Sequence, residues 1–391
     1  MSRPLRVGIV GARFAAKFHF ESYRRVYGVP VRVVGVTSKS SGSRQAFARE
    51  FGVRAFGTFD ELCDACDVVD ICAPGALHEP LAVAALERSK HVIVEKPFTG
   101  YYGPPTGDFR GNDFPKDMML REAMSSCERI LAAARRAGTK LCYAENWVYS
   151  PAVQKEREIL TKSGGQILWM IGDESHSGSH SPYYGVWKFS GGGSIVGKAC
   201  HPLSAALCLK RAEGEAREGT PIRPVTVSAR THEITRLKTY RDAGFLRTDY
   251  ADIEDYGQMH VTFADGTVAD IFASELVLGG VHNWLEIFAN NHRTRCNLNP
   301  LNALETYNPR EEQLKDVYVV EKIGTKQGWS NPAPDEDWQH GYPQEFQDFV
   351  ECIFENREPL SGPELARDTV AVLYSAYLSA ERRGAEVALP A

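Results

Sequence analysis

The feature that most constrains this chain is an alternation between Leu5 and Tyr143, where short β-branched runs are separated by stretches with helical spacing. The runs are Arg6–Val10, Val31–Val36, Val68–Ala73, His91–Glu95 and Lys140–Tyr143. Strands of this kind are apolar on both faces and need cover on both sides, which helices returning between parallel strands provide. The intervening segments Ala15–Tyr27, Gly42–Phe51, Glu79–Glu87 and Met118–Ala137 carry the matching apolar stripes, and Gly52 and Gly138 stand where helices commonly stop. The pattern predicts a doubly wound α/β domain of about five or six strands.

After Pro151 the texture changes to strands in succession: Gln166–Glu174, Val225–Glu233, Tyr256–Phe263, Thr267–Ser274 and Trp284–Ala289. Asp265-Gly266 between two alternating runs is a hairpin signal, so this second sheet is expected to be mostly antiparallel. Helices at Pro151–Lys162, His201–Lys210, Tyr342–Glu355 and Pro363–Arg382 should cover one of its faces. A length of 391 residues suits such a division into 1–150 and 151–391. One stretch fits neither half. Residues 99–117 hold glycines, prolines, Tyr101, Tyr102, Phe109 and Phe114 without periodicity, and read as an inserted loop that is either mobile or a lid.

Charge narrows the partners. With 45 basic and 50 acidic residues the net charge is −5, which gives no electrostatic reason to expect nucleic acid or an anionic membrane. No apolar run approaches the ~20 residues of a membrane span and the N-terminal residues lack a signal-peptide layout, so a cytoplasmic protein is expected. The nine cysteines follow no framework spacing, and the lone Cys63-x-x-Cys66 pair reads as two small helix-end residues rather than a metal site.

The first strand runs through Gly8 into Gly11-Ala12-Arg13-Phe14-Ala15-Ala16 and then a helix, the layout in which a pyrophosphate meets backbone N–H groups at a helix N-terminus. The fingerprint is degraded: Gly11 holds the first glycine position, whereas Arg13 and Ala16 stand at the other two. After the second strand Ser38 and Lys39 appear in place of the carboxylate that usually receives the adenosine ribose, with Arg44 nearby, and the choice between NAD and NADP stays open. A third site closes another strand: Glu95-Lys96-Pro97. Removing hydride from a secondary alcohol requires loss of the hydroxyl proton, and a lysine near a cationic nicotinamide in a desolvated cleft can have its pKa lowered toward neutrality.

Glu95-Lys96-Pro97, the Gly11 turn, Ala73-Pro74 at a strand end, His78, and Gly191-Gly192-Gly193 followed by His201 together resemble the glucose–fructose oxidoreductase / inositol dehydrogenase / MocA family over nearly the whole chain. The resemblance implies a Rossmann domain and a C-terminal α/β domain with an open, mostly antiparallel sheet, whose exposed face makes a homo-oligomer. It also implies NAD(P)-linked chemistry on a sugar, glycoside or cyclitol. Gly8, Gly11, Arg13, Phe14, Ala15, Ser38 and Lys39 are then expected at the dinucleotide, with Ala73, Pro74, His78, Glu95, Lys96 and Pro97. Lys96 becomes the general acid/base, with His201 in support. The family's Asp-x-x-x-His pair is incomplete, because Gly197 occupies the aspartate position and the proton relay has to be built differently.

Glu145, Asn146, Trp147 and Tyr149 follow the last Rossmann strand, where the resemblance places substrate-facing residues; Trp147 is a candidate sugar platform, and Glu145 and Tyr149 are candidate catalytic groups. Glu174, His176 and His180 form a polar loop read as a sugar-binding segment rather than a metal site, with Lys188 close behind. Two activities use this equipment: a dehydrogenase, or a redox-neutral NAD-dependent glycosidase that oxidises, eliminates, hydrates and re-reduces its sugar. The second needs an additional base from Glu145, Tyr149 or Glu174, and extends to anionic glycosides such as sulfoquinovosides.

Overall fold

In the computed structural model, which describes residues 3–181, 183–299 and 301–390, the alternating half forms one sheet. Its strands are β1 (Leu5–Val10), β2 (Val31–Thr37), β3 (Arg54–Ala55), β4 (Val68–Ile71), β5 (His91–Glu95) and β6 (Leu141–Ala144), ordered β3-β2-β1-β4-β5-β6. All neighbours run parallel. The helices between them are α1 (Phe14–Tyr23), α2 (Ser41–Phe51), α3 (Phe59–Ala65), α4 (His78–Glu87) and α5 (Lys116–Ala137). The strand order reverses between β1 and β4, and the crevice beyond the carboxyl ends there is where this architecture takes ligands. Two elements escape the sequence reading. β3 is too short for periodicity, while α3 does carry a legible start, since Thr58 Oγ1 accepts from Glu61 N (3.2 Å) and Glu61 accepts from Thr58 N (3.3 Å).

The second sheet contains β7 (Ile167–Ser175), β8 (Pro224–His232), β9 (Tyr256–Phe263), β10 (Val268–Ser274), β11 (His282–Ala289), β12 (Arg293–Asn299) and, after the ribbon β13 (Thr306–Asn308) and β14 (Gly328–Ser330), the short β15 (Val387–Ala388). It is antiparallel as expected except where β7 lies parallel to β10. The Asp265-Gly266 hairpin forms, with Gly266 at φ +82° and Phe263 N donating to Thr267 O (2.9 Å). β12 is hidden in the sequence because arginines and asparagines on its outer face mask Cys296 and Leu298, which are buried.

The remaining helices are α6 (Pro151–Ser163), α7 (Trp187–Ser190), α8 (Cys200–Glu218), α9 (Glu336–His340), α10 (Tyr342–Phe354) and α11 (Pro363–Glu381). α8 runs well past Lys210, whose side chain is fully buried and neutralised by Glu213 (2.7 Å) and Asp265 (2.8 Å). That pairing makes a polar stretch of sequence compatible with an interior helix. Along β9 every second side chain is buried, and the other face of the sheet keeps half-exposed residues, including Trp169 stacked on Phe288 at 4.6 Å. α10 returns to the first sheet, where Phe346 lies 4.6 Å from the rings of both His19 and Tyr23.

The inserted loop is packed at both its ends against the rest of the protein. Tyr101, Phe109 and Phe114 pack on one another at 5.2–5.6 Å, Tyr101 N donates to Tyr374 Oη (2.7 Å), and Tyr101 O accepts from Trp187 Nε1 (3.0 Å). Gly111 N donates to Asp252 (2.6 Å), so the loop straps the first sheet to the second through fixed backbone contacts. Among the described residues no helix is long and apolar enough to cross a membrane.

Candidate active site

The carboxyl ends of β1, β4, β5, β6 and β7 and the start of α8 converge on a cleft of about 360 Å³. Its nucleotide side is built from backbone. Gly11 has φ +118°, and a Cβ there would lie 2.4 Å from Cys72 O. Gly11 N donates to Thr37 O (2.9 Å), which ties the turn to the end of β2. Arg13, the residue before α1, makes no side-chain cap, so the first-turn N–H groups beside Phe14 and Ala15 remain available to an anion, and both residues line the cleft. These features fit a dinucleotide pyrophosphate. Arg13 itself lies against Tyr183, with its guanidinium 5.0 Å from the ring centre.

Gly8 is a correction to the sequence reading: it sits inside β1, where a Cβ would press on Leu62 of α3, so packing and not the cofactor demands it. His78 is another. Its ring is buried, with Nδ1 against Pro97 O and Nε2 against Ala73 O, both at 2.9 Å. It fastens the β4 and β5 ends together instead of presenting a nitrogen to the cleft. Ala73 and Pro74 close β4 beside it. Ser38 and Lys39 follow β2, where Ser38 O accepts from Arg44 (2.8 Å) and Lys39 is exposed.

The opposite side of the cleft is built from charges. Glu95, Lys96 and Pro97 enter from β5, and Lys96 Nζ donates to Gly197 O (3.0 Å). Burial would pull the lysine's pKa down, but the surrounding negative groups, Glu174, Glu95 and Glu145 among them, more than offset this and hold it above the ordinary lysine value. The expected lowering toward neutrality is therefore reversed. His201 Nδ1 lies 2.5 Å from Glu145 Oε1, and Nε2 lies 3.8 Å from Glu174 Oε2. Burial works against the imidazolium, yet Glu145 and Glu174 raise its pKa above the usual histidine value. The carboxylate missing at Gly197 is thus supplied from the end of β6. A Cβ at Gly197 would lie 2.9 Å from the Tyr184 ring, so the space of the absent aspartate is filled by an aromatic.

Glu174 Oε2 is buried without a hydrogen-bond partner among the described residues, and burial raises this carboxyl's pKa against the pull of His201, Lys96 and Lys198. His176 lines the cleft and is kept neutral by burial and then by Lys198 and Lys322. Asn146 lines it too, its amide donating to His340 O (2.9 Å). Trp147 reaches the cleft edge but is almost wholly buried, stacked 6.1 Å from the His201 ring, which makes it a backing for the histidine and not an open sugar platform. Tyr149, His180 and Lys188 fall outside the cleft. Tyr149 donates to Asp348 (2.7 Å) and accepts from Ser361 N (2.9 Å), while His180 and Lys188 are exposed.

The cleft also recruits residues that the sequence reading missed. Tyr102 comes from the strap, Asn283 from β11, Glu321 from the segment after β13, and His340 and Tyr342 from either side of Gly341. Burial, then His201, lowers the His340 pKa to about 4, leaving a neutral ring whose Nε2 has no hydrogen-bond partner among the described residues. No spacing rule marks these positions, because chain reversals far from the Rossmann motifs bring them in.

The model of an oxidoreductase family with an NAD-binding Rossmann fold, GFO_IDH_MocA, matches residues 5–102. Residues 5–102 thus match the family that the Glu95-Lys96-Pro97 segment and Gly11 turn resemble. Among curated relatives, glucose-6-phosphate 3-dehydrogenase of Bacillus subtilis is 32% identical over 92 residues, 24% of this chain and 26% of the relative. D-glucoside 3-dehydrogenase of Escherichia coli is 26% identical over 213 residues, 53% of this chain and 54% of the relative. The matched segments thus span from about a quarter to about half the length of these relatives. Over the full length the fold is shared with GenD2 from gentamicin A biosynthesis, solved in complex with NAD, at 23% identity and a TM-score of 0.79, covering 100% of this chain and 98% of that one. Myo-inositol 2-dehydrogenase from Lactobacillus plantarum shares it at 17% identity and a TM-score of 0.71, covering 99% and 100%.

Proposed function

We propose that the protein is an NAD(P)-dependent dehydrogenase acting on a secondary hydroxyl of a sugar, glycoside or cyclitol. The observation that carries the reading is the meeting of Lys96 and a Glu145-bound His201 in one cleft beside the Gly11 turn. The bound dinucleotide supplies the hydride acceptor in the oxidising direction. The chain's own groups manage charge and proton. Glu145 accepts from His201 Nδ1–H, which fixes the tautomer and turns the Nε2 lone pair toward the hydroxyl. Lys96, held as a cation, donates to the same oxygen and stabilises the alkoxide as its proton passes to Nε2. The C–H hydride leaves the carbon, the C–O bond becomes a carbonyl, and the released proton rests on His201. In the reducing direction the proton returns along the same route.

Glu174 favours a second reading on the same scaffold, the redox-neutral glycosidase. Oxidation of one ring carbon acidifies the neighbouring C–H, and a buried carboxyl with a free oxygen is placed to move that proton. Tyr149 is out of reach and Glu145 is engaged by His201, so of the three candidate bases Glu174 is the one the geometry supports. The cofactor's adenosine end falls to Ser38, Lys39 and Arg44, and the half-exposed face carrying Trp169 and Phe288 is the proposed contact between copies of the chain.

The test is purified protein with a panel of free sugars, cyclitols and nitrophenyl glycosides, supplied with NAD or NADP, following nicotinamide reduction and aglycone release together. Reduced cofactor accumulating without aglycone release is the expected result. Aglycone release with no net reduction would establish the second reading, and neither signal with any substrate would overturn both. Sedimentation velocity checks the sheet contact, a Trp169→Glu variant being expected to dissociate the assembly.

A further inference from the structure

Behind the cleft lies a buried line of charges that the reaction above does not use. His19, on α1, is fully buried; its Nδ1 faces Asp70 of β4 at 2.9 and 3.0 Å, and its Nε2 faces Glu95 Oε1 at 3.5 Å. The second distance is long for a hydrogen bond and short for an ion pair. Tyr23 donates to Asp70 (3.1 Å), and Cys72 Sγ lies 3.1 Å from Nδ1. From α10, Phe346 packs on the His19 ring, and Glu345 is buried with neither oxygen hydrogen-bonded among the described residues. Glu95 lines the same cleft as Lys96, His201 and Tyr342.

We propose that His19 is a positioning residue for Lys96: an imidazolium held by Asp70 that keeps Glu95 ionised and aimed at the lysine. The inference rests on the reading of Lys96 as the group that touches the substrate oxygen. A carboxyl as enclosed as Glu95 prefers its neutral form unless a cation stands against it. Burial pushes Glu95 up, and the contact with His19 followed by Lys96 and His201 brings it below the ordinary glutamate range. Burial likewise opposes charge on His19, and Asp70 and Cys72 hold it well above the ordinary histidine value. Glu345, kept neutral by burial, adds no competing charge. Asp70, His19, Glu95 and Lys96 then alternate in sign from the core to the cleft. If His19 served only to pin α1 on β4, the Asp70 contact would suffice and the ring would not need Glu95 at its far nitrogen.

The first test is spectroscopic. Imidazole ¹⁵N spectra of the intact protein should show one histidine doubly protonated at about pH 8, well above the usual range, and its signals should disappear in His19→Gln; a neutral His19 at that pH overturns the proposal. In Glu95→Gln the His19 titration should fall, and an unchanged titration also overturns it, which keeps the question decidable if His19→Gln does not fold. Kinetically, His19→Gln lets Glu95 take a proton, so Lys96 loses a counterion and the alkaline limb of kcat/KM should move to lower pH by about one unit. Glu95→Gln should do the same, and the double variant should move it no further. A limb that stays, rises or shifts additively contradicts the coupling. Should Lys96→Ala keep full turnover, the role of Lys96 fails while the His19–Glu95 coupling is still read by the spectra.

Discussion

The two sides of the cleft are made in different ways. The nucleotide side is a backbone device: one glycine at φ +118° with Cys72 O against it, and uncapped N–H groups at the start of α1. The catalytic side is a side-chain device in which Glu145 and Glu174 raise the pKa of Lys96 and His201. A backbone device tolerates sequence drift, since any residue supplies an N–H, and so Arg13 and Ala16 can stand where a fuller fingerprint has glycine. A side-chain device depends on placement in space: the carboxylate on His201 is Glu145, which comes from the end of another strand.

The largest effect separating the two sides is expected from Lys96→Ala, which should lower kcat by roughly 10²–10⁴ and leave the dinucleotide dissociation constant unchanged by calorimetry. A parallel loss of dinucleotide affinity would erase the distinction. Glu145→Gln comes next, with a fall in kcat of about ten- to a hundredfold expected from a weakened general base. Its pH signature has a definite sign. Glu145 raises the His201 pKa, so the base form appears only as pH rises through that elevated value; removing the negative charge lowers the value, and the acid limb of kcat/KM should move to lower pH by about one unit.

On the other side, Gly11→Val should weaken dinucleotide binding by about tenfold or more, near 1.4 kcal/mol, because its Cβ meets Cys72 O and displaces the turn. Tyr149→Phe probes a residue outside both devices. It removes the bonds to Asp348 and Ser361 and should cost about 1–3 kcal/mol of stability in a denaturant titration, with turnover unchanged for the protein that remains folded. The smallest effect is expected from Arg13→Ala. Its exposed contact with Tyr183 should contribute well under ~1 kcal/mol to dinucleotide affinity, and a tenfold loss would instead place Arg13 on the pyrophosphate.

Much of this molecule is legible in its sequence. β5 and β9 have the predicted bounds, and most other long elements differ by a residue or two, because both sheets bury apolar side chains at regular spacing. Where periodicity was too short or masked by polar outer faces, as at β3 and β12, it went unread. Lys96 and His201 were legible as a strand-end lysine and a histidine after a glycine-rich turn. The roles of their neighbours were not. Nothing local distinguishes Glu145, which binds His201, from Tyr149, which binds Asp348, since both belong to one short segment and their side chains leave it in different directions.

The sequence by itself determined the two-sheet architecture and the glycine turn after β1, which follow from local spacing and residue chemistry. Only the tertiary structure decided which carboxylate serves His201, why Lys96 is held as a cation instead of being drawn toward neutrality, and that residues 99–117 strap the two sheets together. Those outcomes depend on charge, burial and hydrogen-bond partners contributed by segments far apart in the chain, and electrostatic energy is set by distance in space and not by distance in sequence.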